Sequence, residues 1–203
     1  MRSGVIYIIP FWSRANFPGS IMQWHKSHRA DPQARALADR HYNRQKPGSP
    51  QFVPPGRCLV LLSNNANAFW VTSWPFAEYV RHEWPGAWIC SAFRNESSTP
   101  ASLLIRDALA ATKDFFGDPP ILGIITFIDF RKVRPTKVRG KDVVGWTWKK
   151  AGFAEVGYTK GGLVALQCLP QDMPPASPAG QPLVNALPLF ARDGRAMGVT
   201  HEG

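Results

Sequence analysis

Apolar positions along this chain fall into two patterns. Short continuous runs of β-branched and aromatic residues read as strands, and apolar positions recurring three and four apart read as helices. Residues 5–9 (Val-Ile-Tyr-Ile-Ile) are the first strand-like run, closed by Pro10, and residues 12–30 are irregular. Asp31-Pro32 is a helix start, a capping side chain followed by proline at the first helical position. Ala34, Leu37, Ala38 and His41 then keep helical spacing, which predicts a helix over 33–42 with Leu37 and His41 on one face and Tyr42 at its end. Four prolines and two glycines make 47–57 a surface loop. Strands follow at 58–62 and 68–72, joined by the turn-forming Ser63-Asn64-Asn65.

Trp74, Pro75, Phe76, Tyr79 and Trp84 crowd the next stretch, either as core or as a platform on which bases stack. Residues 87–93 are nearly all apolar, as in a central strand covered on both faces. A hydroxyl-rich loop, 94–99, leads into a helix over 100–116 whose apolar face is Leu103, Leu104, Ala108 and Ala111, with Ile105 beside them. Residues 121–128 are a buried strand ending in Asp129. A basic loop follows, then a short helix over 142–150 with Gly152 as its C-terminal glycine. A hairpin, 154–159 and 163–168, turns at Lys160-Gly161-Gly162. The pattern defines an α/β fold. It has an N-terminal strand and irregular segment (1–30), a main domain (31–169) and a Pro-rich tail (170–203), extended or disordered.

Charge changes the picture. The 203 residues carry 24 Lys and Arg against 14 Asp and Glu, a net +10 that attracts phosphate polyanions. Arg131, Lys132, Arg134, Lys137, Arg139 and Lys141 lie within eleven residues, where Pro135 and Gly140 forbid one continuous helix. They form a phosphate clamp or a solvated loop. Cys58, Cys90 and Cys168, odd in number and set in apolar runs, read as buried free thiols of a reducing compartment. The run at 5–12 is too short to span a membrane and has no signal-peptide layout, so a cytoplasmic protein is expected. His25 and His28 have a metal-ligand spacing without a third ligand, which also fits a polar loop.

Two positions suggest a site. A strand, a small-residue loop and a helix N-terminus make an anion pocket at Arg94–Thr99, unless Thr99 simply caps the helix. Asp129, at the C-terminal end of a central strand, either faces a ligand crevice or caps the next turn.

With those residues in place, roughly 33–168 resembles a GNAT acyltransferase domain. Trp148-Lys149-Lys150-Ala151-Gly152-Phe153 is similar to the Tyr-x-x-x-Gly-Phe ending of that family's helix beside acyl-CoA. The family's pyrophosphate loop, Gln/Arg-x-x-Gly-x-Gly/Ala, is best matched at Asn95-Glu96-Ser97-Ser98-Thr99-Pro100, where both glycines are missing. A closer likeness is to the Mom-like phage DNA-modification branch, whose phosphate loop is also degenerate. Asp39-Arg40-His41-Tyr42 resembles its His-Tyr motif, Phe127-Ile128-Asp129 its strand ending in aspartate, and Thr147–Phe153 its Tyr-Lys-Ala-Ala-Gly-Trp helix end.

The resemblance implies a mixed, mostly antiparallel sheet with two splayed strands, flanked by helices. It implies a phage-encoded transferase, active in the host cytoplasm, that moves an acyl-derived (carbamoylmethyl-type) group onto the N6 amine of adenine in double-stranded DNA. Its donor is a small molecule of unknown identity. Acetyl-CoA, another acyl or amino-acid derivative, or a group assembled through a metal such as iron are the options, with His25, His28 and His41 as possible ligands. Asp129 would accept a hydrogen bond from the amine and its proton, and His41 is a second acid/base. Tyr42, with Trp74 or Trp84, would stack on the base. Arg94 and the Ser97–Thr99 loop would face the donor or stabilise developing negative charge, Arg94 as a catalytic group, and Asn95, Ser97, Ser98, Thr99 and Trp148 would bind the donor. Arg131, Lys132, Arg134, Lys137 and Arg139 would hold phosphates. The whole scheme requires His41, Arg94 and Asp129 to converge at a gap between splayed strands with positive charge at its rim. The alternatives are a GNAT N-acetyltransferase using acetyl-CoA on a small amine or protein, and a non-enzymatic nucleic-acid-binding protein.

Overall fold

The computed structural model describes residues 24–180, so the strand expected at 5–9 and the apolar stretch at 183–190 lie outside the described residues. The first element is one the sequence reading placed in an irregular segment. Trp24–Ser27 is a strand, β1, paired antiparallel with β2 (Arg57–Ser63). Trp24 drives this pairing: it is fully buried and its indole N–H donates to the Leu104 carbonyl at 2.9 Å. Between them α1 (Pro32–Asp39) starts as expected, the Asp31 carboxylate accepting from the N–H of Gln33 and Ala34 at 2.7 and 3.2 Å.

The expected helix over 33–42 is cut short. Arg44 Nε reaches Asp39 at 2.7 Å and the Gly48 N–H meets the same carboxylate at 3.0 Å, which folds the chain into a turn after Asp39. His41 and Tyr42 therefore sit in that turn, not on the helix.

The remaining elements are β3 (Ala68–Trp74), β4 (Trp88–Asn95), α2 (Ala101–Phe116), β5 (Ile124–Ile128), β6 (Thr136–Val138), β7 (Lys141–Val143), α3 (Trp146–Lys150), β8 (Ala154–Tyr158) and β9 (Val164–Cys168). Seven strands form one sheet in the order β1-β2-β3-β4-β5-β9-β8, antiparallel throughout except for the β4–β5 pair. The expectation of a mixed, mostly antiparallel α/β sheet holds in that form. The strand expected at 121–128 begins only at Ile124, because Gly123 closes a turn onto Pro120 and leaves Ile121 91% exposed. The helix expected over 142–150 is reduced to α3. Lys141–Val143 instead pairs with Thr136–Val138 as a separate two-stranded ribbon.

Apolar side chains fill both faces of the sheet. On one, Trp70, Trp88, Ile124 and Leu166 pack with Leu104, Ile105, Ala108 and Leu109 of α2. On the other, Leu37 and Ala38 of α1 cover Val60, Leu62, Phe69 and Val71, and Trp84 covers Ala87, Ile125 and Ala165. The first part of the Pro-rich segment is ordered against this body. Met173 is buried in the α2-side core, the Ser177 N–H donates to Ala110 O at 3.2 Å, and the Gly180 N–H donates to Trp24 O at 2.8 Å. Cys58, Cys90 and Cys168 are free thiols; Cys90 and Cys168 are buried and Cys58 only half-buried. Among the described residues no helix is long and apolar enough to cross a membrane.

Candidate functional site

The parallel pair is where the sheet opens. β4 and β5 pair only at Trp88–Ile124, Ile89–Ile125 and Cys90–Thr126. At the next residue β4 bulges: Thr72 of β3 faces Cys90 and Val71 faces Ala92, so Ser91 is the extra residue. A bulge bends its strand and resets which side chains face which way. Here Trp88, Cys90 and Phe93 all join the α2-side core, a spacing of two and then three. Past the bulge the two strands no longer pair, and a cleft of about 270 Å³ lies between them. His41, Tyr42 and Asn43 line it together with Phe93 and Arg94 of β4, Phe127 and Ile128 of β5, and Val133 and Trp148.

His41 is the chemical centre of the cleft. Its ring stacks on Tyr42 at 4.6 Å between centroids and meets the edge of Phe69. Nδ1 is bonded to Asn43 Oδ1, and Asn43 Nδ2 donates to the Ser91 carbonyl at 3.2 Å. Because the amide must give its N–H to Ser91, its oxygen faces the imidazole. In the tautomer that pairs with the Asn43 oxygen the proton is on Nδ1 and Nε2 is the acceptor; the Asn43 backbone N–H, 3.4 Å from Nδ1, suits the opposite tautomer. Burial lowers the His41 pKa below its ordinary value; Asn43 opposes this, the Arg94 charge adds to it, and the Phe93 carbonyl opposes it. The ring is thus a neutral base at pH 7. Burial raises the Tyr42 pKa, so its phenol stays protonated, and it donates to Phe127 O at 3.3 Å.

Arg94 lines the cleft, but its guanidinium is tied back. Nε donates to Glu96 and Nη1 to the Arg40 carbonyl, both at 2.5 Å. Arg40 grips the same Glu96 carboxylate with Nε and Nη2 at 2.8 and 2.7 Å. The expected donor-facing arginine is therefore a clamp that fixes the turn carrying His41 to the end of β4. Arg40 first, then Arg94, holds the Glu96 carboxyl at about 2. A carboxyl held that low stabilises the fold above its ordinary pKa near 4.5, and that contribution is lost as pH falls from there to about 2. Glu96→Gln should flatten the acid-unfolding curve across that window, read by circular dichroism against pH. A curve that keeps the wild-type drop would remove the clamp.

The loop after β4 also departs from expectation. Asn95 Oδ1 accepts from the N–H and hydroxyl of Ser97 at 2.8 and 2.6 Å, Asn95 Nδ2 donates to Thr99 O at 2.8 Å, and the Thr99 N–H meets Ser97 Oγ at 3.2 Å. Ser97 and Thr99 are spent on closing the loop, and neither they nor Ser98 line the cleft; Asn95 does. Thr99 does not cap α2, whose N-cap position is Pro100 and which has no side-chain cap.

Asp129 is 8% exposed at the end of β5, one residue beyond the cleft wall. Its carboxylate is held by Arg131, Nε to Oδ1 at 2.8 Å and Nη2 to Oδ2 at 3.3 Å, and Oδ1 also takes the Arg131 N–H at 3.2 Å. That pairing keeps its pKa below the usual carboxylate range. The expected convergence is therefore partial: His41 and Arg94 share the cleft, and Asp129 anchors the basic turn beside it. Trp148 does sit on the wall, packed against Trp70, Phe93 and Phe153.

Trp74 and Trp84 are not stacking platforms of this cleft. Trp74 pairs with Arg57 at the far end of β3 and packs on Trp88 and Phe116, and Trp84 is 9% exposed behind Phe127. His25 and His28 lie elsewhere, His25 against Asn64, and among the described residues no three His, Cys, Asp or Glu gather closely enough to hold a metal ion. Arg131, Lys132, Arg134, Lys137 and Arg139 are all exposed and follow directly on the cleft wall.

Asn43, Ser91 and Val133 escaped the sequence reading. A serine inside the apolar run 87–93 was the available signal for the bulge. Nothing local marked Asn43. Matched against protein-family models, curated proteins and solved structures, the chain finds no counterpart in any of the three.

Proposed function

We propose that this chain is a GNAT-like transferase of the Mom-like kind, acting on the N6 amine of adenine in duplex DNA. The observation that carries the reading is His41, held by Asn43 on the wall of a cleft where two parallel strands part. The N6 amine is a weak nucleophile because its lone pair is delocalised into the ring. It reacts only when it is positioned, stripped of water and relieved of its proton. In this scheme the extruded base enters beside Tyr42. The amine nitrogen forms a bond to the electrophilic carbon of an acyl-type donor, the bond to the donor's leaving group breaks, and His41 Nε2 takes the amine proton. Asp129 acts at one remove, by fixing the turn of Arg131 and Lys132 against the phosphates.

Two features weigh against the other readings. Ordinary acetyl-CoA binding uses free backbone N–H groups in the phosphate loop, and here the N–H groups of Ser97 and Thr99 are already bonded within it. A protein that only binds nucleic acid has no use for an oriented, neutral imidazole in a half-buried cleft. The test is mass spectrometry of nucleosides digested from the DNA of cells producing the protein. A mass-shifted deoxyadenosine is expected with the wild type. Unaltered nucleosides with DNA still bound would favour the binding protein, and tight acetyl-CoA binding without DNA would favour the acetyltransferase.

A further inference from the structure

The basic segment expected to be a loop is an arm. β6 and β7 pair at Thr136–Val143, Lys137–Asp142 and Val138–Lys141, and only Arg139-Gly140 joins them. Both turn residues have positive φ, 48° and 79°, the geometry of a tight two-residue hairpin. The ribbon packs mainly on itself. Its feet are fixed: Val133 and Val144 pack on the main core, and at Gly145 an added Cβ would stand 2.5 Å from Leu166 Cδ1. Its tip is free. Lys132, Arg134, Lys137, Arg139 and Lys141 are exposed and form no ion pair within the described residues. Arg131, by contrast, is bound by Asp129.

We propose that this ribbon is a groove-reading arm. It enters the major groove of B-form DNA with Arg139 against base edges, while Lys132 and Arg134 hold the flanking phosphates. The proposal rests on duplex DNA being the cleft's substrate, and it adds how the duplex is held. Dimensions favour the major groove. Three residues per strand reach about 10 Å, against a groove about 8.5 Å deep and wide enough for a two-stranded ribbon; the minor groove, about 6 Å wide, is too narrow. The tip residue points the same way. A positive φ is costly for arginine and comfortable for Asn or Gly, so the guanidinium at this position is kept against local preference. Val133 belongs to both the ribbon's foot and the cleft wall, so the arm would set the position of the duplex relative to His41.

The experiment measures binding of the full chain, without any donor, to a short DNA duplex and to an RNA duplex of the same sequence by fluorescence anisotropy. The RNA major groove is deep and narrow and should exclude the ribbon. The DNA duplex is expected to bind at least tenfold more tightly. Arg139→Gly suits the turn's backbone and removes only the guanidinium; it should cost about tenfold in DNA affinity and leave RNA binding alone. Lys132→Ala with Arg134→Ala should lower the salt slope by about two and preserve the DNA preference. Equal binding of DNA and RNA duplexes, or an Arg139→Gly protein with unchanged preference, would overturn the proposal. The readout is independent of chemistry. Unaltered nucleosides alongside an intact Arg139 effect would defeat the transferase reading and leave the arm standing.

Discussion

If the proposed adenine modification is the activity, His41→Gln should lower its rate by about 10²–10⁴-fold, the usual contribution of a positioned general base. DNA affinity should stay near wild type, because the phosphate contacts proposed for the ribbon do not involve His41. Glutamine keeps a polar group in the turn but has no nitrogen able to take a proton. The pH profile supplies the second signature. Since burial lowers the His41 pKa, the wild-type rate should climb through a value below 6.5 and be flat above it.

Stability should follow the same group. Between the folded pKa and 6.5 the unfolded chain binds the proton that the buried ring refuses, so stability rises with pH in that window and falls as the solution is acidified below 6.5. His82, whose pKa burial also lowers, acts in the same direction, so His41→Gln should reduce this dependence without abolishing it. Asn43→Ala tests orientation. It frees the imidazole to adopt either tautomer, and should reduce kcat with KM for DNA unchanged. A His41→Gln protein that modifies DNA at the wild-type rate would remove His41 from the mechanism.

The main strands were legible because each is a dense apolar run, and a run of that kind has few other ways to bury itself. The end of α3 after Lys150 was legible for a related reason: Ala151 and Phe153 are buried, Gly152 has φ +104, and the motif records all three needs. What failed was anything decided by distant partners. Arg94 could not be read as a clamp, because its partners include Arg40, which lies 54 positions away. The loop at Asn95–Thr99 offered hydroxyls, but whether they serve a ligand or each other depends on how β4 ends. The ribbon was hidden by its composition. Lys137 and Lys141 occupy places where strands usually show β-branched residues, and its turn is Arg-Gly in place of the usual Asn-Gly. The aromatics from Trp74 to Trp84 read as core or as an exposed stacking platform. Phe76 and Tyr79 are indeed exposed, whereas Trp84 folds back over Ile125 and Ala165 because the bare face of β5 and β9 needs covering.

Gly123→Ala should be the most damaging single substitution in the scaffold, costing roughly 3 kcal/mol or more. Two causes add. Gly123 has φ +61, where a side chain is strained, and its Cβ would stand 2.1 Å from the Cys168 carbonyl oxygen and 3.0 Å from Leu169 Cα. Both obstacles are backbone, so no rotamer change relieves them. Gly123 also accepts the Trp88 N–H at 2.9 Å, immediately before Trp88 and Ile124 begin the parallel pairing, and Ile124 faces Cys168 across β9. An added methyl group must push β9 off β5 or break the turn that starts β5. Gly86→Ala separates the two causes. Gly86 has φ +88 but open space around its Cβ, so it should lose only the backbone part, about 1 kcal/mol. Urea unfolding should show the Gly123→Ala midpoint well below that of Gly86→Ala, with similar slopes. Equal midpoints would mean that the close approach of β5 to the end of β9 is absent. The β4–β5 pairing that ends at the cleft would then have lost its fixed starting point.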